Sequence, residues 1–327
     1  MRPIKRVVLT GAFGGIGQRI LRKLHEAGHH VRCLDLHNPR TESLARRLPP
    51  GVEVVWGSIT DAAVAANAVT DMDTVIHMAA IIPPLANDNP VLATAVNVEG
   101  TRTLIEAMWR SSTAKRLIFA SSMALAGQAQ AVRTPPLTLD EPPAPCDHYG
   151  MTKAECETLV ATSRLDWSIL RIAACPHDEI LKGDRAGLRV MFDTTASGRV
   201  EFVHFEDVGL AFANAVTCDA AIGKRLFIGG GPRCQTDAWS FYNGMFNAMG
   251  LGPLPREAFR PGPPYFFGDW LDTRESQALL QFQQHSLEDF YAWLRGKTGI
   301  KRYLYRTIAP LATRAILRES PYFRAAT

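Results

Sequence analysis

Tyr149 and Lys153 stand four residues apart in Tyr149-Gly150-Met151-Thr152-Lys153. On a helix that spacing puts a phenol and an ammonium on one face. A phenol is a weak acid, so it can accept a proton near neutral pH only beside a positive charge. Lys153 supplies one. Upstream, an apolar run ends in Ser121-Ser122. A serine hydroxyl there can hold a substrate oxygen while the tyrosine moves its proton. Ser122 fits the role best, and Ser121 is the fallback. Each feature also has an ordinary reading: a solvated helix face for the pair, a turn for the serines. Together they suit proton transfer at an alcohol or ketone oxygen.

Such side chains need a frame. The runs Val7–Thr10, Val31–Leu36, Val52–Trp56, Thr74–Ala79, Leu117–Ser121 and Ser168–Ile172 read as strands. Helix-periodic stretches such as Leu92–Trp109 lie between them. This alternation predicts parallel βαβ units in a doubly wound α/β sheet over residues 1–175, completed by segments near 200–230. Residues 176–295 read as a smaller, mixed substrate lobe, with a loop at 250–264 and helices near Ser276–Leu280 and Leu287–Leu294. Residues 296–327 read as a basic helical tail.

The first strand runs into Thr10-Gly11-Ala12-Phe13-Gly14-Gly15-Ile16-Gly17. Between a strand and a helix, a glycine turn leaves free N–H donors and a positive dipole end for a pyrophosphate. Gly11 permits the tight exit, Gly14 the approach of the phosphates, and Gly17 close packing of the helix. Asp35, at the end of the second strand, is placed for an adenosine 2′-hydroxyl and against a 2′-phosphate. The predicted cofactor is therefore NAD. Arg32 and Arg40 are the cations within reach that argue the other way. Ser58 and Ile59 are placed toward the adenine, and Asp61 reads as a helix cap. Ala79 and Ala80 are small enough for a backbone lying against the cofactor, while His77 reads as structural. Phe13, Gly15, Ile16 and Pro176 complete the expected cofactor set, together with Tyr149 and Lys153. An oxidised nicotinamide would add to the positive charge near Tyr149.

Hydrophobic residues make up 46% and charged residues 21% of the 327 residues, as in a soluble globular protein. A net charge of +4 is too small to imply nucleic acid as the main ligand. The six cysteines are scattered without metal spacing, which predicts reduced thiols, no metal site and a cytoplasmic location.

The order of these motifs resembles the extended short-chain dehydrogenase/reductases, the epimerase/dehydratase-like group. The residues that carry the resemblance are Thr10-Gly11-x-x-Gly14-x-x-Gly17, Asp35, His77-x-Ala79-Ala80, Asn97-Val98-Glu99-Gly100-Thr101, Ser121-Ser122 and Tyr149-x-x-x-Lys153. It implies a Rossmann fold with a small C-terminal substrate lobe. It also implies Ser122 as substrate orienter, Tyr149 as proton donor or acceptor, and Lys153 as tuner of Tyr149 and ribose ligand. Asn97 matches the family asparagine near the nicotinamide, or fixes the fold by hydrogen bonds. Asp207 reads as an N-cap after the run Phe202–Phe205. A homodimer through two helices flanking the sheet, the Tyr149 helix among them, is a further implication.

Three departures narrow the choice. Met123-Ala124 stands where sugar 4,6-dehydratases carry Asp-Glu. The run Arg171-Ile172-Ala173-Ala174-Cys175-Pro176 lacks the asparagine usual in sugar-nucleotide epimerases. Ala126-Gly127 replaces their Tyr-Gly. The lobe offers Phe192, Phe202, Trp239, Phe241, Tyr242, Phe246, Tyr265, Phe266, Phe267 and Trp270 instead. These features favour hydride transfer between NAD and an apolar or alicyclic secondary alcohol or ketone, as in the 3β-hydroxysteroid dehydrogenase-like branch. The alternatives are an NAD-dependent sugar or sugar-nucleotide epimerase and a non-catalytic dinucleotide-binding regulator.

In the tail, Lys297, Lys301, Arg302, Arg306, Arg314, Arg318 and Arg324 face one acid, Glu319. Ile300, Leu304, Ile308, Leu311 and Ala315 recur among them at helical spacing. A terminal helix packed on the domain or on a second subunit is one reading, and peripheral contact with an anionic membrane is the other. Pro310 and Pro321 are expected to interrupt a long helix.

Overall fold

Val7, Val8 and Leu9 are fully buried because their strand lies in the middle of a sheet covered on both faces. A computed structural model of the chain describes residues 3–178 and 185–323. Arg324 and the end of the tail therefore lie outside the described residues. The main sheet carries β1 (Arg6–Thr10), β2 (His30–Asp35), β3 (Glu53–Trp56), β4 (Thr74–His77), β5 (Arg116–Ser122) and β6 (Asp166–Ile172). Two short strands, β7 (Arg199–Glu201) and β9 (Gln235–Asp237), pair antiparallel in the lobe, while β8 (Lys224–Ile228) returns to the main sheet. The main order is β3-β2-β1-β4-β5-β6-β8, with every neighbour parallel. It is a Rossmann sheet. The register pairs Thr10 with His77 and Ser122 with Ile172, so the chemistry-bearing residues share its carboxyl edge.

The helices of the first half are α1 (Gly15–Glu26), α2 (Pro39–Ala45), α3 (Ala62–Val69), α4 (Leu85–Asp88), α5 (Pro90–Ala93), α6 (Gly100–Arg110) and α7 (His148–Ala161). Those of the second half are α8 (Arg185–Phe192), α9 (Phe205–Ala215), α10 (Ala238–Met249), α11 (Arg274–Leu280), α12 (Leu287–Thr298) and α13 (Lys301–Leu317). On one face of the sheet Ile20, Leu21 and Leu24 of α1 pack with Val208, Ala211 and Phe212 of α9. On the other, Leu104, Ile105 and Met108 of α6 pack with Cys156 and Val160 of α7. The lobe has its own core around Phe202, Phe241, Phe290 and Leu294. Asp61 caps α3, accepting from Ala63 and Val64 N–H.

Three local expectations are corrected. Leu92–Trp109 is not one regular helix: Thr94–Glu99 forms a π-helical turn between α5 and α6. Asp207 is not the N-cap of α9. His204 is, and Asp207 instead accepts from Gln284 and His285 backbone N–H at 3.0 and 2.9 Å. Pro310 does not stop α13, which runs through it. Arg306 and Pro310 are both exposed, so the Arg306 carbonyl that loses its N–H partner stays open to water. The inward side of α13 holds Ile316 and Leu317, against the cluster of Met191, Phe192 and Phe259.

Candidate active site

β5 delivers Ser122 to the edge of the sheet, and α7 delivers Tyr149 one residue after its own start. Asp147 caps that helix by accepting from Gly150 N–H at 2.8 Å. Asn87 braces the same end: its amide donates to Asp147 at 3.1 Å and its carbonyl accepts from Tyr149 N–H at 3.1 Å. Burial pushes the Tyr149 phenol up to about 12, and a hydrogen bond from Ser122 opposes that rise. Ser121 turns the other way and donates to Glu157 at 2.6 Å. The geometry therefore separates the two serines: only Ser122 meets the phenol.

Lys153 is buried and donates to the Ala120 carbonyl at 2.8 Å. Its Nζ lies 4.8 Å from the Phe119 ring centre and 5.9 Å from that of Tyr149. Burial draws its pKa below the usual lysine value, against the pull of Cys156 and Glu157. Among the described residues Ala120 is its one hydrogen-bond partner, so two of its N–H donors remain for a ligand.

The helix itself is clamped from behind. Glu157, one turn beyond Lys153, accepts from Nε and Nη2 of Arg171 of β6, each at 2.8 Å. It also accepts from Arg225 of β8 at 3.2 Å. Glu157 and Arg171 are buried. Nothing in the sequence marks this pair as belonging together, since 14 residues separate them; a buried acid at helical spacing from Lys153 is the only hint.

At the other end of the cleft, Gly11 has φ +65°. A Cβ on it would come within 2.9 Å of Ala79 N. A Cβ on Gly17 would lie 2.2 Å from the Gly11 carbonyl oxygen, so this glycine serves the turn rather than helix-on-sheet packing. Asp35 accepts from Phe13 N–H at 2.8 Å and its other oxygen from Leu36 N–H at 2.8 Å. The Phe13 ring is buried against Trp56, 5.5 Å between centres. Ile16 is partly buried against the same core, and Gly14 precedes the first residue of α1 as its N-cap. Ser58 pairs with Thr60, and Ile59 is buried against Gly100. Ala79 N–H donates to Thr10 Oγ1 at 3.0 Å, and Ala80 follows it along the turn's flank. The stretch after β6, with Pro176, crosses the same place. The ring of His177 lies so close to Gly15 that a Cβ there would meet it at 2.0 Å. This glycine cradle, with the carboxylate of Asp35 at its side and buried Lys153 beyond, fits a dinucleotide without a 2′-phosphate.

His77 is buried, with Nδ1 2.8 Å from Thr10 Oγ1 and Nε2 3.0 Å from Thr101 Oγ1. Burial pushes its pKa down to about 3. Asn97 sits in the π-helical turn, where its carbonyl accepts from Ile81 N–H at 2.7 Å. Its amide donates to the Ile81 carbonyl at 3.0 Å and to Thr152 at 3.2 Å. These bonds make Asn97 a brace between the loop after β4 and α7, and it does not line the substrate cleft.

That cleft has a volume of about 750 Å³. Ser122, Tyr149, Met123 and Ala124 form its floor, and Ile172, Ala173, Pro83 and Pro84 its sides. The lobe contributes Arg185, Arg189, Val190, Asp193, Phe266 and Phe267. Among the described lobe aromatics, Phe192, Phe202, Phe241 and Phe246 are core, while Phe267 and Phe266, the latter at the edge of that core, line the cleft.

Residues 7–174 match the model of the NAD dependent epimerase/dehydratase family. The chain belongs to that family. As a member of an NAD dependent family, it uses NAD. It is 32% identical over 203 residues to the 3 beta-hydroxysteroid dehydrogenase/Delta 5-->4-isomerase of Mycobacterium tuberculosis. That match covers 60% of this chain and 53% of the relative, so the chain spans about half the length of the curated relatives it matches. It is 26% identical over 242 residues to the mouse (Mus musculus) sterol-4-alpha-carboxylate 3-dehydrogenase, decarboxylating, covering 68% of this chain and 63% of the relative. Two solved structures share its fold. One is an NAD-bound short-chain dehydrogenase/reductase superfamily protein from Agrobacterium tumefaciens, at TM-score 0.71, 21% identity, and 94% and 99% coverage. The other is a UDP-glucose-4-epimerase from Stenotrophomonas maltophila with NAD and formylated UDP-arabinopyranose, at TM-score 0.71, 21% identity, and 90% and 99% coverage. Among the described residues no group of side chains is arranged to hold a metal ion. No described helix is long and apolar enough to cross a membrane.

Proposed function

We propose that this protein is an NAD-dependent oxidoreductase interconverting a secondary alcohol and a ketone on an apolar or alicyclic skeleton. One observation carries the reading: the phenol of Tyr149 and the hydroxyl of Ser122 open together onto a cleft where Met123, Ala124, Ile172, Ala173, Phe266 and Phe267 face them, with Arg185, Arg189 and Asp193 on the lobe side. The glycine turn, Asp35 and Lys153 would hold NAD, which when bound would supply the hydride acceptor. Ser122 holds the substrate oxygen. Tyr149 takes the hydroxyl proton as the carbon loses hydride, and returns it in the reverse direction. Lys153 lowers the cost of the phenolate. The name of the mycobacterial relative, a 3 beta-hydroxysteroid dehydrogenase, supports this substrate class. The apolar run Ile172-Ala173-Ala174 on the cleft wall does not favour a diphospho-sugar.

Tyr149→Phe tests it. General acid–base groups contribute about 10²–10⁴-fold to rate. The variant should lose turnover of cyclic secondary alcohols by that order while NAD still quenches tryptophan fluorescence with unchanged affinity. Turnover close to that of the parent protein would overturn the mechanism.

We also propose a cytoplasmic homodimer formed across α6 and α7. The support is apolar surface left open there: Trp109 of α6 and Met151 of α7 are 54% and 53% exposed, and Val91 of α5 is 82% exposed.

A further inference from the structure

The face of α13 that points away from the protein is its apolar one. Ile300, Leu304 and Leu311 are 84%, 61% and 72% exposed, and Tyr303 and Ile308 are half-exposed beside them. Leu304, Ile308, Leu311 and Ala315 repeat at three- and four-residue steps, which draws one stripe along the helix. No residue of α13 is fully buried. Lys301 and Arg314 are exposed beside that stripe, Arg306 is exposed on the other side of the helix, Arg318 is exposed just past its end, and no acid occurs within Lys301–Leu317. An apolar stripe edged by cations is the pattern of a helix lying in a lipid headgroup region. At 17 residues with four cations, the helix can lie on a bilayer but not cross it.

The far end of this helix is tied to the cleft. Glu319 pairs with Arg185 at 3.1 Å, and the Tyr322 hydroxyl donates to Asp193 at 2.9 Å. Arg185 and Asp193 both line the cleft. The end of α13 therefore lies next to the lobe side of the cleft.

We infer that α13 seats this protein on an anionic phospholipid surface, with the cleft mouth beside the lipid. A second copy of the chain is the weaker occupant of the stripe. Two such helices face to face would bring their cations together with no acid between them, whereas lipid phosphates complement them. The inference goes beyond the proposed reaction and needs no turnover to be tested.

The full chain is sedimented with vesicles of phosphatidylcholine alone and of phosphatidylcholine mixed with phosphatidylglycerol, at low and high salt. The expected result is binding to the anionic vesicles only, weakened by salt. The paired substitution Leu304→Glu with Leu311→Glu, both on exposed positions, should reduce that binding at least about tenfold. NAD-induced fluorescence quenching and the mass by light scattering should stay unchanged. No binding to anionic vesicles would overturn the inference, as would undiminished binding of the double variant. A double variant of halved mass would assign the stripe to a second copy and overturn it equally.

Discussion

The proton on Tyr149 is held firmly in the protein alone, since burial raises the phenol to about 12 and Ser122 offsets only part of that. Alcohol oxidation needs it released, so the rate should climb with pH until the phenol of the loaded enzyme ionises. Lys153→Met removes a positive charge beside that phenol. A lost cation destabilises phenolate and raises its pKa. The rising limb of kcat/KM against pH, measured at saturating NAD, should therefore move upward by at least about one unit. An unmoved limb would place proton removal on another group. At this scale the sequence left one choice open. Ser121 and Ser122 are adjacent on a strand, and neighbouring strand residues point to opposite faces. Which one meets the tyrosine follows from where β5 ends and from the buried Glu157 waiting behind Ser121.

α7 holds its catalytic pair in place because its start and its middle are fixed. Asp147 and Asn87 hold the start, and Glu157 holds the middle to β6 and β8. Removing one partner of a buried ion pair typically costs about 3–5 kcal/mol. Glu157→Gln should lower unfolding stability by roughly that amount in urea titrations. The surviving protein should lose kcat more than NAD affinity, because the glycine turn follows β1, which β4 and β5 separate from β6. Equal loss in both would make Glu157 a general stabiliser only. The strands were legible because doubly covered parallel strands read as apolar runs, and Asp61 because a cap is a local signal. The π-helical turn at Thr94–Glu99 was not, since it sits where Asn97 reaches Ile81 and Thr152, contacts that exist only in the folded chain. Nor could composition sort Phe266 and Phe267 on the cleft from Phe202 and Phe241 in the core.

For the whole molecule, two exposed apolar surfaces lie on different helices and ask for different partners. The α6–α7 face carries Trp109 and Met151. Trp109→Glu with Met151→Glu should halve the mass seen by light scattering while leaving vesicle binding intact. A mass unchanged by that pair would remove the dimer proposed across this face. The tail was legible as basic and periodic. Its direction was not, because the same spacing serves a helix packed inward or outward, and only the contacts of Ile316 and Leu317 decide between them.

The bonds around His77 have a polarity. Thr10 Oγ1 accepts from Met78 and Ala79 N–H, so its own hydrogen must point to His77 Nδ1. The imidazole is then the tautomer with hydrogen on Nε2, donating to Thr101, whose hydroxyl donates on to the main-chain carbonyl of Asn97 at 2.5 Å. The chain of donors runs one way, from the dinucleotide turn to the brace of the catalytic helix, and a proton added to Nδ1 would set two donors against each other. With its pKa near 3, His77 stays neutral and the direction stays fixed. The two halves of the site are thereby joined by a thread of hydrogen bonds that carries no net charge and admits one orientation.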